Sequence, residues 1–167
     1  MNEYRIKRAT KSDWQVARDV RLKALADTPD AFGTLIAADQ ARPENEWIAR
    51  VCNPIVAHFL AFDPNGNAVG TAVGAPYSDV HGAAGLYGMW VDPEHRGRRV
   101  GQRLVGAVME WARAESYKCV LLDVDDDNTA AIRLYESSGF LATGQTGTLP
   151  PPREHVTEHQ RSYVFEK

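Results

Sequence analysis

The sequence predicts an α/β (α+β) domain, and three stretches predict it. Trp90 to Ala112, WVDPEHRGRRVGQRLVGAVMEWA, reads as the end of a strand, a Gly/Arg turn and an amphipathic helix. Ile55–Phe62 and Ala68–Val73 are apolar runs either side of Asp63, Pro64, Asn65, Gly66 and Asn67, and the Asn-Gly pair signals a hairpin. Cys119–Val124, CVLLDV, is a buried-strand run leading through an acidic tract into a final helix.

The remaining elements follow in chain order. Tyr4–Ala9 alternates as a first strand. Ser12 and Gln15 have capping-box spacing, which opens a helix running to about Ala26. The break at Asp27, Thr28, Pro29 and Asp30 ends it. A weaker helix is expected over Pro29–Gln40, interrupted at Gly33, and a short one opens at Pro43 in a first-turn position and passes through Trp47 and Val51. Pro76–Ala84 reads as a polar loop before the strand Leu86–Val91, which Asp92 and Pro93 end because proline offers no ladder N–H. Asn128–Ser138 forms the last helix, closed by Gly139. Phe140–Gln145 and Gln160–Phe165 are strands around a proline-rich loop, Thr148–His159. No repeat or second domain interrupts the chain, so residues 1–167 are expected to form one domain.

The helix after the Gly/Arg turn buries Val100, Leu104, Val108 and Trp111 on one face. Its first turn offers free N–H groups and a positive dipole end. Arg96, Arg98, Arg99 and Arg103 crowd the turn without an intervening acid, in a chain whose formal net charge is −3. That contrast points to a phosphate ligand. The Walker ending and the G-x-G-x-x-G fingerprint are both absent.

Strand, R-x-x-x-x-G, helix resembles the pyrophosphate loop of the GNAT superfamily of acyl-CoA N-acyltransferases, whose pattern is Gln/Arg-x-x-Gly-x-Gly/Ala. Arg96 and Gly101 match its ends, and Arg99 stands at the middle glycine. A second stretch, LDVDDDNTAAIRLYESSGF (Leu122–Phe140), is similar to the family signature L-x-V-x-x-x-N-x-x-A-x-x-L-Y-E-x-x-G-F. Arg21–Thr34 also looks like the N-terminal region of many bacterial members. The resemblance implies a mixed, mostly antiparallel sheet of six to seven strands with about four helices, splayed at a central bulge. It implies acetyl-CoA as co-substrate, with Arg96, Gly97, Arg98, Arg99, Val100, Gly101, Gln102 and Arg103 around the pyrophosphate. Asn128 and Ala131 would flank the pantetheine arm and Tyr135 the thioester sulfur; three- and four-residue spacing puts these three on one helix face. A backbone N–H among Met89, Trp90 and Val91 would polarise the thioester carbonyl.

The implied reaction is acetyl transfer to a primary amine of a small molecule or a protein N-terminus by direct attack in a ternary complex. Tyr135 is the expected general acid and Asp123 the expected base, ahead of Glu46, His58 and Glu158. Asp125, Asp126 and Asp127 lack the rest of a calcium loop and are read as capping the last helix. The histidines show no metal-ligand spacing and are read as solvent-facing, so no metal is expected, and the tryptophans are read as core.

Composition excludes other classes. At 44% hydrophobic and 25% charged the chain is an ordinary globular one, with no apolar run long enough to span a membrane and no broad basic face for nucleic acid. Cys52 and Cys119 suggest no disulfide framework, and the start lacks an apolar signal core, so a cytoplasmic protein is expected. A homodimer would follow family habit. The competing function is a non-catalytic CoA-binding sensor or interaction module. A phosphate-binding protein unrelated to CoA is a third.

Overall fold

The computed structural model describes residues 3–166. Seven strands, β1 (Arg5–Arg8), β2 (Ala57–Phe62), β3 (Ala68–Pro76), β4 (Ala83–Val91), β5 (Cys119–Asp125), β6 (Leu141–Thr148) and β7 (Thr157–Val164), form one sheet in the order β1-β2-β3-β4-β5-β7-β6. Only β4 and β5 pair in parallel; the rest is antiparallel. Helices α1 (Trp14–Asp27), α2 (Ile36–Gln40), α3 (Glu44–Cys52), α4 (Val100–Ala114) and α5 (Thr129–Ser137) flank it. This is the expected mixed sheet with seven strands. Among the described residues no helix is long and apolar enough to cross a membrane.

The core forms where α4 crosses the sheet. Val100, Leu104, Val105, Val108, Trp111 and Ala112 are buried, one apolar stripe facing β2, β3 and β4. A side-chain carbon at Gly74 would stand 2.5 Å from the Trp111 ring, so β3 carries glycine where the indole presses against it. The hairpin turn forms as expected: Asp63, buried, accepts from the N–H groups of Asn65 (2.9 Å) and Asn67 (2.8 Å). Past α5, Phe140 N–H donates to the Tyr135 carbonyl (3.0 Å), the helix-ending bond that Gly139 permits.

Several local expectations are corrected. The cap before α1 lies two residues earlier than Ser12/Gln15: the Asp13 carboxylate accepts from Thr10 N–H at 2.7 Å. The interruption expected at Gly33 within Pro29–Gln40 is present but wider, a single turn at Pro29–Ala31 and the short α2 standing either side of irregular residues 32–35. Pro43 precedes α3 as its cap instead of entering the first turn. The strand before the Arg turn begins at Ala83, which shortens the expected loop, and β7 begins at Thr157. Asp125, Asp126 and Asp127 do not cap α5; Asn128 does, its Oδ1 accepting from Ala131 N–H at 3.2 Å. Asp125 closes a local turn onto Asp127 N–H, and Asp126 pairs with His159.

His58 is another correction: it is not solvent-facing but partly buried on β2. Behind it lies Asp39, with a fully buried carboxylate that meets Arg21 Nε (3.0 Å), Arg42 Nη2 (3.0 Å) and Arg50 Nη1 (3.4 Å). Burial alone would raise the Asp39 carboxyl, but the bonds from Arg21 and Arg42 outweigh it and hold its pKa below the usual value. Three guanidiniums around one carboxylate leave the cluster net positive. His58 feels this: burial first, then the charges of Arg50 and Arg21, push its pKa down to about 4. Below pH 6.5 the unfolded imidazole binds a proton that the folded one refuses until about pH 4. Stability therefore falls with acidification across that window, with a slope from His58 approaching ~1.4 kcal/mol per pH unit. Urea unfolding at stepped pH checks this, and His58→Gln is expected to flatten the slope between pH 6 and 4.5 relative to the native chain.

Candidate active site

The site opens where the sheet parts. β4 and β5 pair only through Ala83–Gly85 and Cys119–Leu121, while β5 stays paired to β7 along its whole length. Beyond Gly85 the facing edge of β4 has no neighbour strand. The bulge responsible for its bend is in β4, where Gly88 and Met89 together oppose Ala72. Gly88 has φ +58°, a left-handed conformation that favours glycine. The expected splay around Met89–Val91 is thus present, centred one residue earlier.

One cleft, of about 580 Å³, runs from this opening to the start of α4. Met89, Trp90, Val91, Arg96, Gly97, Arg99, Val100, Gly101, Gln102, Asn128 and Ala131 line it. Among the described residues, none of the N–H groups of residues 97–102 donates to a backbone carbonyl; the first helical bond is Arg103 N–H to Arg99 C=O at 3.2 Å. Gly97 (φ +75°) and Arg99 (φ +64°) both take the left-handed conformation. Arg99, standing where the pattern has glycine, therefore takes a conformation that favours glycine, against a steric cost of roughly 1–2 kcal/mol. The amides converge as an anion cradle at a helix N-terminus.

The arginines divide. Arg96 is partly neutralised: its Nη2 meets Asp27 at 2.8 Å, and the same carboxylate accepts from Trp90 Nε1 at 2.9 Å. Arg98 and Arg103 line neither cleft and turn to Tyr4, so the charge meant for a phosphate is smaller than the sequence suggests. Arg99 is the turn's arginine that lines the cleft without such a tether. Trp90 is core as well as wall, at 5% exposure.

A second cleft, of about 360 Å³, lies on the other side of the bulge. It shares Ala31, Met89, Asn128 and Ala131 with the first. Tyr135 lines it, 6% exposed, and no hydrogen-bond partner for its hydroxyl is found among the described residues. Burial pushes this phenol far above its ordinary value, so it stays protonated at neutral pH. Asp123 is here too, accepting from Tyr77 Oη at 3.1 Å, and Tyr77 in turn accepts from Gln160 Nε2 at 3.2 Å. Asp125 and Glu158, opposite each other in the β5–β7 ladder, complete an acidic wall. Burial raises the Glu158 carboxyl, and the charges of Asp123 and Asp125 raise it further. Of the other candidate bases, Glu46 pairs with Arg42 and His58 lies on β2; neither lines this cleft.

Sequence reasoning passed over Arg21, Tyr87 and Asp125 as site residues and ranked Glu158 low. Arg21 and Glu158 lie far from the two motifs in sequence, on α1 and β7; Arg21 opens the stretch that resembles bacterial family members, but nothing there marks the arginine itself as part of a site. Asp92, Glu94 and His95 bring ligand-type atoms within 4.8 Å at the cleft mouth, a grouping their sequence spacing did not suggest. Asp92 there caps a turn through Glu94 N–H, and His95 Nδ1 bonds Tyr4 Oη.

The split sheet thus has an amide cradle on one side and an acidic cleft on the other, an arrangement with room for two reactants to meet. Comparison with known proteins agrees. Residues 22–140 match the Acetyltransferase (GNAT) family. The chain is 35% identical over 130 residues to mycothiol acetyltransferase of Thermobispora bispora, covering 71% of this chain and 39% of that protein. It thus spans about two fifths of the length of that curated relative. The fold superposes on yncA from Salmonella typhimurium, solved with its cofactor acetyl-CoA (TM-score 0.82, 19% identity, 99% of this chain and 95% of that one). It also matches a ribosomal-protein-alanine N-acetyltransferase from Brucella melitensis (TM-score 0.77, 20% identity, 96% and 99%). The chain belongs to the GNAT acetyltransferase family.

The residues present fit acetyl-CoA. The cradle of free amides suits a pyrophosphate, and Ala131 beside Asn128 leaves a channel from the cradle to the shared end of the two clefts.

Proposed function

We propose that the chain is an N-acetyltransferase that moves an acetyl group from acetyl-CoA to a primary amine by direct attack in a ternary complex. The observation that carries this is the meeting of two clefts at the β4 bulge, with Met89, Asn128 and Ala131 common to both and Tyr135, one helical turn from Ala131, lining the second. Acetyl-CoA, when bound, supplies an activated thioester.

The chain's own groups then have distinct tasks. The amides of residues 97–102, with Arg99, hold the pyrophosphate and set how far the thioester reaches. Asn128 uses Oδ1 as a helix cap, which leaves its amide nitrogen to donate to the pantetheine arm. The unpaired β4 edge at Met89–Val91 offers an N–H to the carbonyl oxygen. Asp123 and Glu158 are placed to accept the proton that the ammonium must lose before attack; burial and its acidic neighbours raise the Glu158 carboxyl above the ordinary glutamate value, which makes it the stronger base for that proton. As the carbon–sulfur bond breaks, Tyr135 gives its proton to the departing sulfur.

A thiol-release assay over an amine panel, with mass analysis of the products, tests this. Thiol is expected only when acetyl-CoA and an amine are both present, in step with acetylated amine. Tight acetyl-CoA binding with no turnover on any amine would overturn the proposal in favour of the sensor.

A further inference from the structure

The second cleft has walls of opposite charge. On the β4 side stands Arg21 of α1. Its Nε bonds Asp39, and its guanidinium lies over the Phe32 ring, 4.8 Å from the centroid. Those contacts fix the group yet leave its terminal nitrogens unengaged: neither Nη makes a hydrogen bond to a described residue, and neither is a buried atom without a partner. They therefore reach open space, and Arg21 lines this cleft. Gly88 keeps the approach clear, since a side-chain carbon there would fall 3.2 Å from Arg21 Nη1. Arg42 and Arg50 share Asp39 with Arg21, so that carboxylate does not cancel the local positive charge.

Across the opening, Asp123, Asp125 and Glu158 make the β5–β7 wall acidic. An alkylamine with no anionic group would leave Arg21 unpaired, and a diamine would bring a second cation against it. A molecule with an ammonium at one end and a carboxylate at the other satisfies both walls. Planar guanidinium and carboxylate pair through parallel hydrogen bonds, which also sets direction.

We propose that the acceptor is a zwitterionic small molecule of the α-amino-acid type, its carboxylate held by Arg21 and its amine presented to the thioester along Asp123 and Glu158. This rests on the acetyltransferase reading above and specifies its second substrate. Arg21 acts here as a specificity-determining residue.

The test compares L-leucine with 3-methylbutylamine and L-phenylalanine with phenethylamine, beside putrescine, by thiol release. Binding of the same compounds to the CoA-loaded protein is measured by calorimetry. Alkylamines hold their protons more tightly than α-amino acids, so the readout is the change in each amino acid-to-amine ratio of kcat/KM on mutation. Arg21→Gln is expected to lower that ratio about 10- to 100-fold, the scale of one hydrogen bond to a charged group, mainly through KM. Arg21→Lys should recover part of it, and Gly88→Ala, which crowds Arg21 Nη1 but leaves the Nε bond to Asp39 in place, should also lower it, which keeps the test open if Arg21→Gln fails to fold. An unchanged ratio in Arg21→Gln and Gly88→Ala, or preference for putrescine, would overturn the proposal. Turnover of alkylamines with no amino acid accepted sinks the zwitterion and spares the acetyltransferase. Amino acids that bind without thiol release on any amine sink the acetyltransferase, and the acceptor role with it, and leave Arg21 only as part of an amino-acid binding site. Neither binding nor turnover removes both.

Discussion

Gly101→Glu is expected to lose acetyl-CoA binding while keeping the fold. A side chain at 101 begins 3.1 Å from both Leu134 Cδ2 of α5 and Met89 Cε of β4. The rest of a glutamate can only extend into the cleft that its backbone lines. It would put a negative charge among the amides of residues 97–102, where a pyrophosphate should lie. Leaving charges buried without partners costs several kcal/mol, and each ~1.4 kcal/mol is tenfold in Kd, so a loss of at least about 100-fold is expected. Calorimetry with acetyl-CoA reads it, with circular dichroism and thermal melting as controls for folding. Binding within tenfold of the native chain would move the pyrophosphate elsewhere and remove the basis of the enzyme proposal.

The second large effect is that of Tyr135→Phe. Removing one oxygen from a 6% exposed side chain leaves ring packing against Phe140 in place, with centroids 6.0 Å apart. The hydroxyl has no partner among the described residues to leave orphaned, so stability should hold. A positioned proton donor contributes about 10²- to 10⁴-fold to rate, so kcat should drop by at least about 10²-fold with acetyl-CoA affinity unchanged. The pH dependence separates the roles. Turnover should rise with pH as Glu158 loses its proton, above the ordinary glutamate range, and this limb should survive in Tyr135→Phe but vanish in Glu158→Gln. Full activity in Tyr135→Phe would assign the proton to another donor, or to water.

Much of this was legible in one dimension. The α4 stripe, the Asn-Gly hairpin and the apolar β5 run depend on neighbours three or four residues away or on strict alternation, and those are local properties of the chain. Asn128, Ala131 and Tyr135, singled out by the family resemblance and set on one face by helical spacing, line the two joined clefts. Where local signals competed, the reading failed. Thr10 and Ser12 both offer a capping hydroxyl, and only the path out of β1 selects Thr10. The acids at 125–127 look like helix caps until Asn128 is seen to hold that position and His159 of β7 to hold Asp126.

By itself, then, the order of residues determined the strands and helices as local elements, the Gly/Arg turn before α4 and the face of α5 that carries the phenol; the left-handed path of that turn came from the structure. Tertiary structure alone decided the electrostatics. It set Asp27 against Arg96, drew Arg98 and Arg103 to Tyr4, and wrapped Arg21, Arg42 and Arg50 around Asp39. It also gathered Asp123, Asp125 and Glu158 on one wall. The physical reason is range: periodicity is written within a few residues, whereas a charge is defined by whatever the fold brings within a few ångströms, from any distance along the chain.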